Sequence, residues 1–324
     1  MRGAMENFAG RIAVVTGGGT GMGRELVRQL AKEGCHVSTC DVSATALDET
    51  RALALETAPA DTRVTTFVAD VADEDQLLAF RDNVARGHAT TSINLLFNNA
   101  GVAGAGSFVD DDRSAWERTF AIDWGGVYLG TRTFLAMLMA ADEGHLVNTS
   151  SINGIFASVG PNRPHTAYSA AKFAVRGFSE ALITDLRVNA PHVRVSVVMP
   201  GHVGTSIVIN SGIVHGKEPD SLDQEDLVKA RRQLAADGTP VDEVSDEDLR
   251  KGVAMFGEAF RDLAPLSAAS AAAIILDGVR QNKWRILVGE DAVITDQMVR
   301  DDPEHAYEPE FWRALQARGG IALS

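Results

Sequence analysis

The sequence predicts an α/β fold: a doubly wound parallel sheet of about seven strands, with helices on both faces. Three observations predict it. Short β-branched runs alternate with longer helical patterns from Arg11 to about Pro200, which is how a parallel sheet covered on both faces reads. A glycine-rich turn joins the first such run to the first helix. Polar residues fall at the carboxyl ends of successive strands, where open α/β sheets bind their ligands.

The first strand is Arg11-Ile12-Ala13-Val14-Val15-Thr16. It runs into Gly17-Gly18-Gly19-Thr20-Gly21-Met22-Gly23 and a helical pattern that Gly34 closes. Glycines there permit a tight turn and let backbone N–H groups approach a pyrophosphate at the helix N-terminus. The spacing Gly17-x-x-x-Gly21-x-Gly23 departs from G-x-G-x-x-G, so the register of the turn stays open, as does the alternative of a plain surface loop. Strand two, His36 to Val42, ends in Asp41, about where a carboxylate would meet ribose hydroxyls. Asp41 repels a 2′-phosphate, neither Val42 nor Ser43 is basic, and Thr20 adds no cation, so NAD is favoured over NADP. The alternative for Asp41 is a simple helix cap.

After a helix over 44–56, strand three spans Arg63 to Val71 and carries Asp70-Val71 at its end. A helix over 74–86 follows, and strand four, Ile93 to Phe97, runs into Asn98-Asn99-Ala100-Gly101. Asp41, Asp70 and Asn98 thus stand at three successive strand ends, which favours a shared ligand. A long helix is expected over Trp116–Ala141, strand five over His145–Ser151, and a helix over about Tyr168–Val188. Strand six covers Val193–Met199, an alanine-rich helix Leu266–Arg280, and a last strand Arg285–Gly289.

The catalytic signal is Tyr168-Ser169-Ala170-Ala171-Lys172. Residues four apart share one helix face. A phenol is a poor base near neutral pH, and a neighbouring ammonium is expected to lower its pKa. A tyrosine tuned this way exchanges a proton with an alcohol or carbonyl oxygen as hydride leaves or arrives at carbon.

Composition bounds the rest. The 324 residues are 45% hydrophobic and 23% charged, ordinary for a globular protein of one large or two smaller domains. A net charge of −14 argues against a nucleic-acid or anionic-membrane partner. Cys35 and Cys40 show no disulfide or metal spacing and are expected as buried, reduced thiols. Met1–Asn7 lacks the apolar run of a signal peptide. The most apolar long window, Trp124–Ala141, contains Arg132 and reads as a buried or interface helix rather than a span. The chain is therefore expected in the cytoplasm.

These residues together resemble the short-chain dehydrogenase/reductase family. The carriers are Thr16-Gly17-x-x-x-Gly21-x-Gly23, Asp70-Val71, Asn98-Asn99-Ala100-Gly101, Ser151, Tyr168-x-x-x-Lys172 and Pro200-Gly201, in the family's order over roughly 8–205. The resemblance implies a seven-stranded Rossmann-like domain and hydride transfer between NAD(P) and an alcohol or ketone. By resemblance Gly17, Thr20, Gly21, Met22 and Gly23 would hold the cofactor phosphates. Asp70 and Val71 would hold the adenine, with Asp70 on its amino group. Asn98 would steady the central strand and cofactor, and Ala100 and Gly101 would line the ribose. Pro200, Gly201, Val203 and Thr205 would meet the nicotinamide. Ser151, with Ser150 as the competing choice, would orient the substrate oxygen toward Tyr168. Lys172 would lower the tyrosine pKa and bind the nicotinamide ribose.

Two departures stand out. The family's catalytic asparagine position is Asp123 here, which either mimics the asparagine through its backbone, keeps Lys172 charged, or impairs the proton relay. The seventeen residues from Ser151 to Tyr168 exceed the family's usual spacing. The resemblance implies that this loop borders the substrate pocket, where Arg163 or His165 would contact substrate, the favoured alternative for each being a surface loop residue with no role.

Residues 6–290 are read as the dehydrogenase domain, with a helical lid insertion over about 206–265 and a tail over 291–324. From Lys217 to Asp262 the lid has thirteen acidic and seven basic residues, and disorder between Ala235 and Asp248 is an open reading. Tyr307, Phe311 and Trp312 suggest that the tail packs on the body or on a partner subunit. A homodimer or homotetramer is a family expectation, and no metal is expected. The leading reading is an NAD-dependent dehydrogenase for a hydrophobic secondary alcohol or ketone. The rivals are an NADP-dependent carbonyl reductase and an NAD-binding regulatory or scaffold protein with little turnover.

Overall fold

The computed structural model describes residues 5–104, 106–236, 238–241 and 244–320; most of the signal-peptide reading at Met1–Asn7 and the end of the tail lie outside them. Strands and helices alternate through the first half: β1 (Ile12–Thr16), α1 (Gly21–Lys32), β2 (His36–Asp41), α2 (Ala44–Leu55), β3 (Val64–Val68), α3 (Glu74–His88) and β4 (Leu95–Asn98). Then come α4 (Arg113–Phe120), α5 (Gly126–Met139), β5 (Gly144–Thr149), α6 (Thr166–Asn189) and β6 (Val193–Pro200). The remaining chain forms β7 (Val203–Gly204), α7 (Ile207–Val214), α8 (Gln224–Ala236), α9 (Asp246–Asp262), β8 (Leu266–Ser267), α10 (Ala268–Arg280), β9 (Arg285–Val288), α11 (Glu290–Asp301) and α12 (Pro309–Ala317).

Seven strands form one sheet in the order β3-β2-β1-β4-β5-β6-β9, every pair parallel. The order reverses between β1 and β4, so a crevice opens there beyond the strand ends. Both faces are buried. Leu26, Leu30, Ile275 and Val279 of α1 and α10 cover one. Leu77, Phe80, Phe134, Leu138, Leu182 and Leu186 of α3, α5 and α6 cover the other. A third cluster joins Ile152, Ile155 and Phe156 to Phe311, Trp312 and Leu315, so the tail packs on the body of its own chain.

Four expectations change. β3 stops at Val68 rather than Val71, which frees Asp70 and Val71 to lie in the loop beyond the sheet. The expected single helix over Trp116–Ala141 is interrupted by a π-helical turn at Ala121–Gly125. Leu266 and Ser267, expected in a helix, pair as a strand with Val203 and Gly204; Ser267 then caps α10 by accepting from the Ser270 N–H. The stretch read as open to disorder is framed by helices: α8 reaches Ala236 and Ser245 caps α9. Arg231 bridges the two by donating to the Val241 and Val244 carbonyls, while residues 237 and 242–243 lie outside those described.

Candidate active site

The cleft at the switch point is lined by the glycine turn (Gly17, Thr20, Gly21, Met22, Gly23), by Asp41 and Val42 after β2, and by Asp70 and Val71 after β3. Asn99, Ala100, Gly101 and Val102 after β4 continue it, and Arg118, Thr205, Ile207 and Asn210 close it. The turn fits only glycine where it is tightest. Gly17 adopts φ +68, and a Cβ on Gly23 would overlap the Gly17 carbonyl. Backbone packed this closely, at the N-terminus of α1, leaves N–H groups facing the cleft, as a dinucleotide phosphate requires.

Asp41 Oδ2 accepts from the Gly19 N–H at 2.9 Å. The cap of α2 is Ser43, whose hydroxyl accepts from Ala46, so the plain-cap alternative for Asp41 does not hold. Asp70 Oδ1 accepts from the Ala72 N–H at 2.9 Å and Oδ2 from Arg118 at 2.6 Å. The Asn98 side chain faces away from the cleft. It donates to Asn148 Oδ1 at 2.9 Å and Thr131 Oγ1 at 3.0 Å, so it ties β4 to β5 and α5, and Asn99 is the neighbour that lines the cleft. Thr205 lines the cleft. Pro200 ends β6, and the Gly201 N–H donates to Val288 at 2.9 Å. Val203 pairs with Leu266 in the two-residue strand.

Four predicted residues converge next to the cleft's inner end, behind Gly101, where a Cβ would lie 2.7 Å from Asp123 Oδ1 and 3.2 Å from Lys172 Nζ, though none of the four lines the cleft itself. Lys172 Nζ stands 5.2 Å from the centre of the Tyr168 ring, 3.3 Å from the Thr149 carbonyl and 3.6 Å from Asp123 Oδ1. The Ser151 hydroxyl hydrogen-bonds the phenol. Ser150 instead donates to the Lys172 carbonyl at 2.7 Å and anchors α6, which removes it as the competing choice. Asp123 is wholly buried. Its Oδ1 accepts from the Val102 N–H at 2.9 Å, and its Oδ2 has no protein partner.

Burial pushes the Asp123 carboxyl up to about 6, against the opposing pull of Lys172 and Val102. The Tyr168 phenol lies above its ordinary value, not below it as expected. Desolvation is the largest cause, Lys172 pulls the other way, and the Asp123 charge adds to the rise. One ammonium does not outweigh burial plus a nearby carboxylate. His165 lies against Tyr168 with ring centroids 4.8 Å apart and planes tilted by 40°, and burial pushes it down to about 4, so the imidazole is neutral at neutral pH. Arg163 lies over the Phe256 ring of α9 at 5.6 Å.

The family model described as short chain dehydrogenase matches residues 11–213. The chain belongs to the short-chain dehydrogenase/reductase family. Its members are NAD(P)-using oxidoreductases of alcohols and ketones. SadH of Mycobacterium tuberculosis, named as an oxidoreductase, is 32% identical over 297 residues, 91% of this chain and 92% of that protein. The 3-alpha-(or 20-beta)-hydroxysteroid dehydrogenase of the same species is 34% identical over 197 residues, 60% of this chain and 70% of its own length. A family member from Burkholderia phymatum, solved in complex with NAD, superposes with a TM-score of 0.74 at 27% identity and covers 94% of this chain and 97% of that one.

In this short-chain dehydrogenase several site residues come from places the sequence reading passed over. Arg118 enters the cleft from α4. Asn210 of α7 donates to Thr20 Oγ1 at 3.0 Å, tying the insertion to the glycine turn. Asp291 of α11 accepts from the His202 N–H at 2.6 Å and steadies the loop after β6. None belongs to a motif; the only available signal was Arg118 standing five residues before Asp123.

Proposed function

We propose that this chain is an NAD-dependent dehydrogenase that transfers hydride between the nicotinamide and a hydrophobic secondary alcohol or its ketone. The observation that carries the reading is the convergence of Ser151, Tyr168 and Lys172 beside a cleft lined by a glycine turn and strand-end carboxylates suited to a dinucleotide. Bound NAD would supply the hydride acceptor. Ser151 donates to the substrate oxygen and aims it at Tyr168. Tyr168, as phenolate, takes the hydroxyl proton during oxidation and returns it during reduction. Lys172 stabilises the phenolate by its charge and is placed to hold the nicotinamide ribose. The preference for NAD rests on Asp41 at the end of β2 and on Arg118, the one basic side chain lining the cleft among the described residues, being committed to Asp70.

The cleft encloses about 160 Å³ under α7, below the roughly 300–1,000 Å³ of ordinary ligand sites. The insertion over 206–265 is therefore read as a lid that shifts to admit the cofactor. Its apolar α7, the apolar face of α9 (Met255, Phe256, Phe260), and the likeness to a hydroxysteroid dehydrogenase support a bulky hydrophobic substrate. Tyr128 (39% exposed) and Phe173 (40%) are exposed aromatics on α5 and α6, and they support a homodimer or homotetramer. Free, buried Cys35 and Cys40 suit a reducing cytoplasm. Among the described residues no helix is long and apolar enough to cross a membrane.

The test is NADH formation at 340 nm from NAD+ with a panel of secondary alcohols, sterols and terpenoids, with Tyr168→Phe alongside. Turnover that persists in the variant overturns the mechanism. Faster turnover with NADP+ overturns the cofactor. The buried Asp123 favours one second reading, an NAD-binding protein with little turnover; NAD binding without activity across the panel, restored by Asp123→Asn, would support it.

A further inference from the structure

Asp70, beyond β3, and Arg118, of α4, both line the cleft. Their side chains meet at 2.6 Å, with 25% and 37% of their surfaces exposed. An ion pair this open contributes little to stability, so its place in the lining of a ligand cleft calls for another reason. The carboxylate is held at both oxygens, Oδ1 by the Ala72 N–H and Oδ2 by Arg118. An ionised carboxylate has about four lone-pair sites, so each oxygen keeps capacity to accept one more hydrogen bond. The planar guanidinium is a stiffer clamp than a lysine ammonium. Without it, the carboxylate would keep only the Ala72 contact on its own loop and could turn about its terminal torsion.

We propose that Arg118 is a positioning residue for cofactor recognition: it fixes the Asp70 carboxylate so that its free lone pairs face the adenine 6-amino group, and thereby makes the site selective for adenine over a 6-oxo purine. The proposal rests on the reading of Asp70 as the adenine contact. The chemistry is one of sign. A 6-amino group donates to a carboxylate; a 6-oxo group presents an acceptor to an acceptor and leaves both unsatisfied. A fixed carboxylate imposes that difference, whereas a mobile one can turn away from the oxo group.

The experiment measures dissociation constants by titration calorimetry, with no substrate needed, for NAD+ and for nicotinamide hypoxanthine dinucleotide. The proteins are the natural chain, Arg118→Gln, Asp70→Asn and the double variant. The natural chain is expected to prefer NAD+. Arg118→Gln should lose about tenfold in NAD+ affinity, the scale of one charge-assisted hydrogen bond, and hold its affinity for the hypoxanthine dinucleotide within about twofold. The double variant should be no weaker toward NAD+ than Asp70→Asn alone, because the two residues act as one unit. Equal weakening toward both dinucleotides, or no change toward either, overturns the proposal. If Asp70→Asn abolishes the preference and Arg118→Gln leaves it intact, only the role of Arg118 falls. If Asp70→Asn also leaves it intact, the adenine reading of Asp70 fails and the proposal falls with it.

Discussion

Each end of the cleft carries one carboxylate paired with one cation, in opposite surroundings. At the outer end Asp70 and Arg118 touch at 2.6 Å with 25% and 37% of their side chains exposed. At the inner end Asp123 and Lys172 stand 3.6 Å apart with 0% and 3% exposed. Water screens the outer pair, so its part is to orient groups. The inner pair is unscreened, and its two charges act on the nearby Tyr168 phenol in opposite directions. The same chemical pair thus reads as a clamp in one place and as a control on acidity in the other.

The largest effect expected from this contrast is at the inner end. Tyr168→Phe should lower kcat by roughly 10²–10⁴, the range of general acid–base catalysis, while calorimetry finds NAD+ binding much less affected. A loss in binding as large as the loss in turnover would erase the distinction between the two ends. Gly23→Ala strikes the phosphate turn they share. A methyl group there meets the Gly17 carbonyl, so NAD+ binding should vanish and stability fall by about 1–3 kcal/mol, as overpacking does; a variant that binds normally would mean the turn does not hold the phosphates.

Asp123→Asn tests the sign of the inner field. Oxidation needs the phenolate, so its rate rises with pH through the tyrosine pKa. The Asp123 charge disfavours a second negative charge and pushes that limb upward. Removing it should move the limb of kcat/KM toward lower pH. A limb that stays in place would show that Asp123 is neutral in the working enzyme. The smallest effect belongs to the outer end. Asp41→Ala should weaken NAD+ binding by about tenfold or less, the worth of one hydrogen bond, narrow the gap to NADP+, and leave kcat at saturating NAD+ unchanged. A fall in kcat would mean that Asp41 acts through the Gly19 turn on the chemistry itself.

What was legible in the sequence follows how far apart the interacting residues lie. β1, the glycine turn and α1 could be read because strand, turn and helix are contiguous. Tyr168 and Lys172 could be read because a helix carries residues four apart to one face. The choice between Ser150 and Ser151 became a geometric statement only when α6 was seen to draw Ser150 to the Lys172 carbonyl. The sign of the tyrosine shift was misread because burial, its largest cause, is a property of the packed chain and not of the helix. Arg118, Asn210 and Asp291 were passed over for a related reason. Each meets its partner across 48, 190 and 89 residues respectively, and no local pattern records such meetings.

The wide turn at Ala121–Gly125 sets the angular phase between the two ends. Each residue of an α-helix advances about 100° around the axis, so one residue added or removed rotates everything beyond it. α5 is fixed on its side by Thr131 against Asn98, and α4 on its side by Arg118 against Asp70. The two helices keep both appointments only because the turn between them is wider than its neighbours. Deleting a residue from α4 between Arg118 and this turn would leave α5 in place and swing Arg118 by about 100°, out of the cleft, whereas deleting one from the wide turn itself would close it to an ordinary α turn and leave both helices nearly in phase.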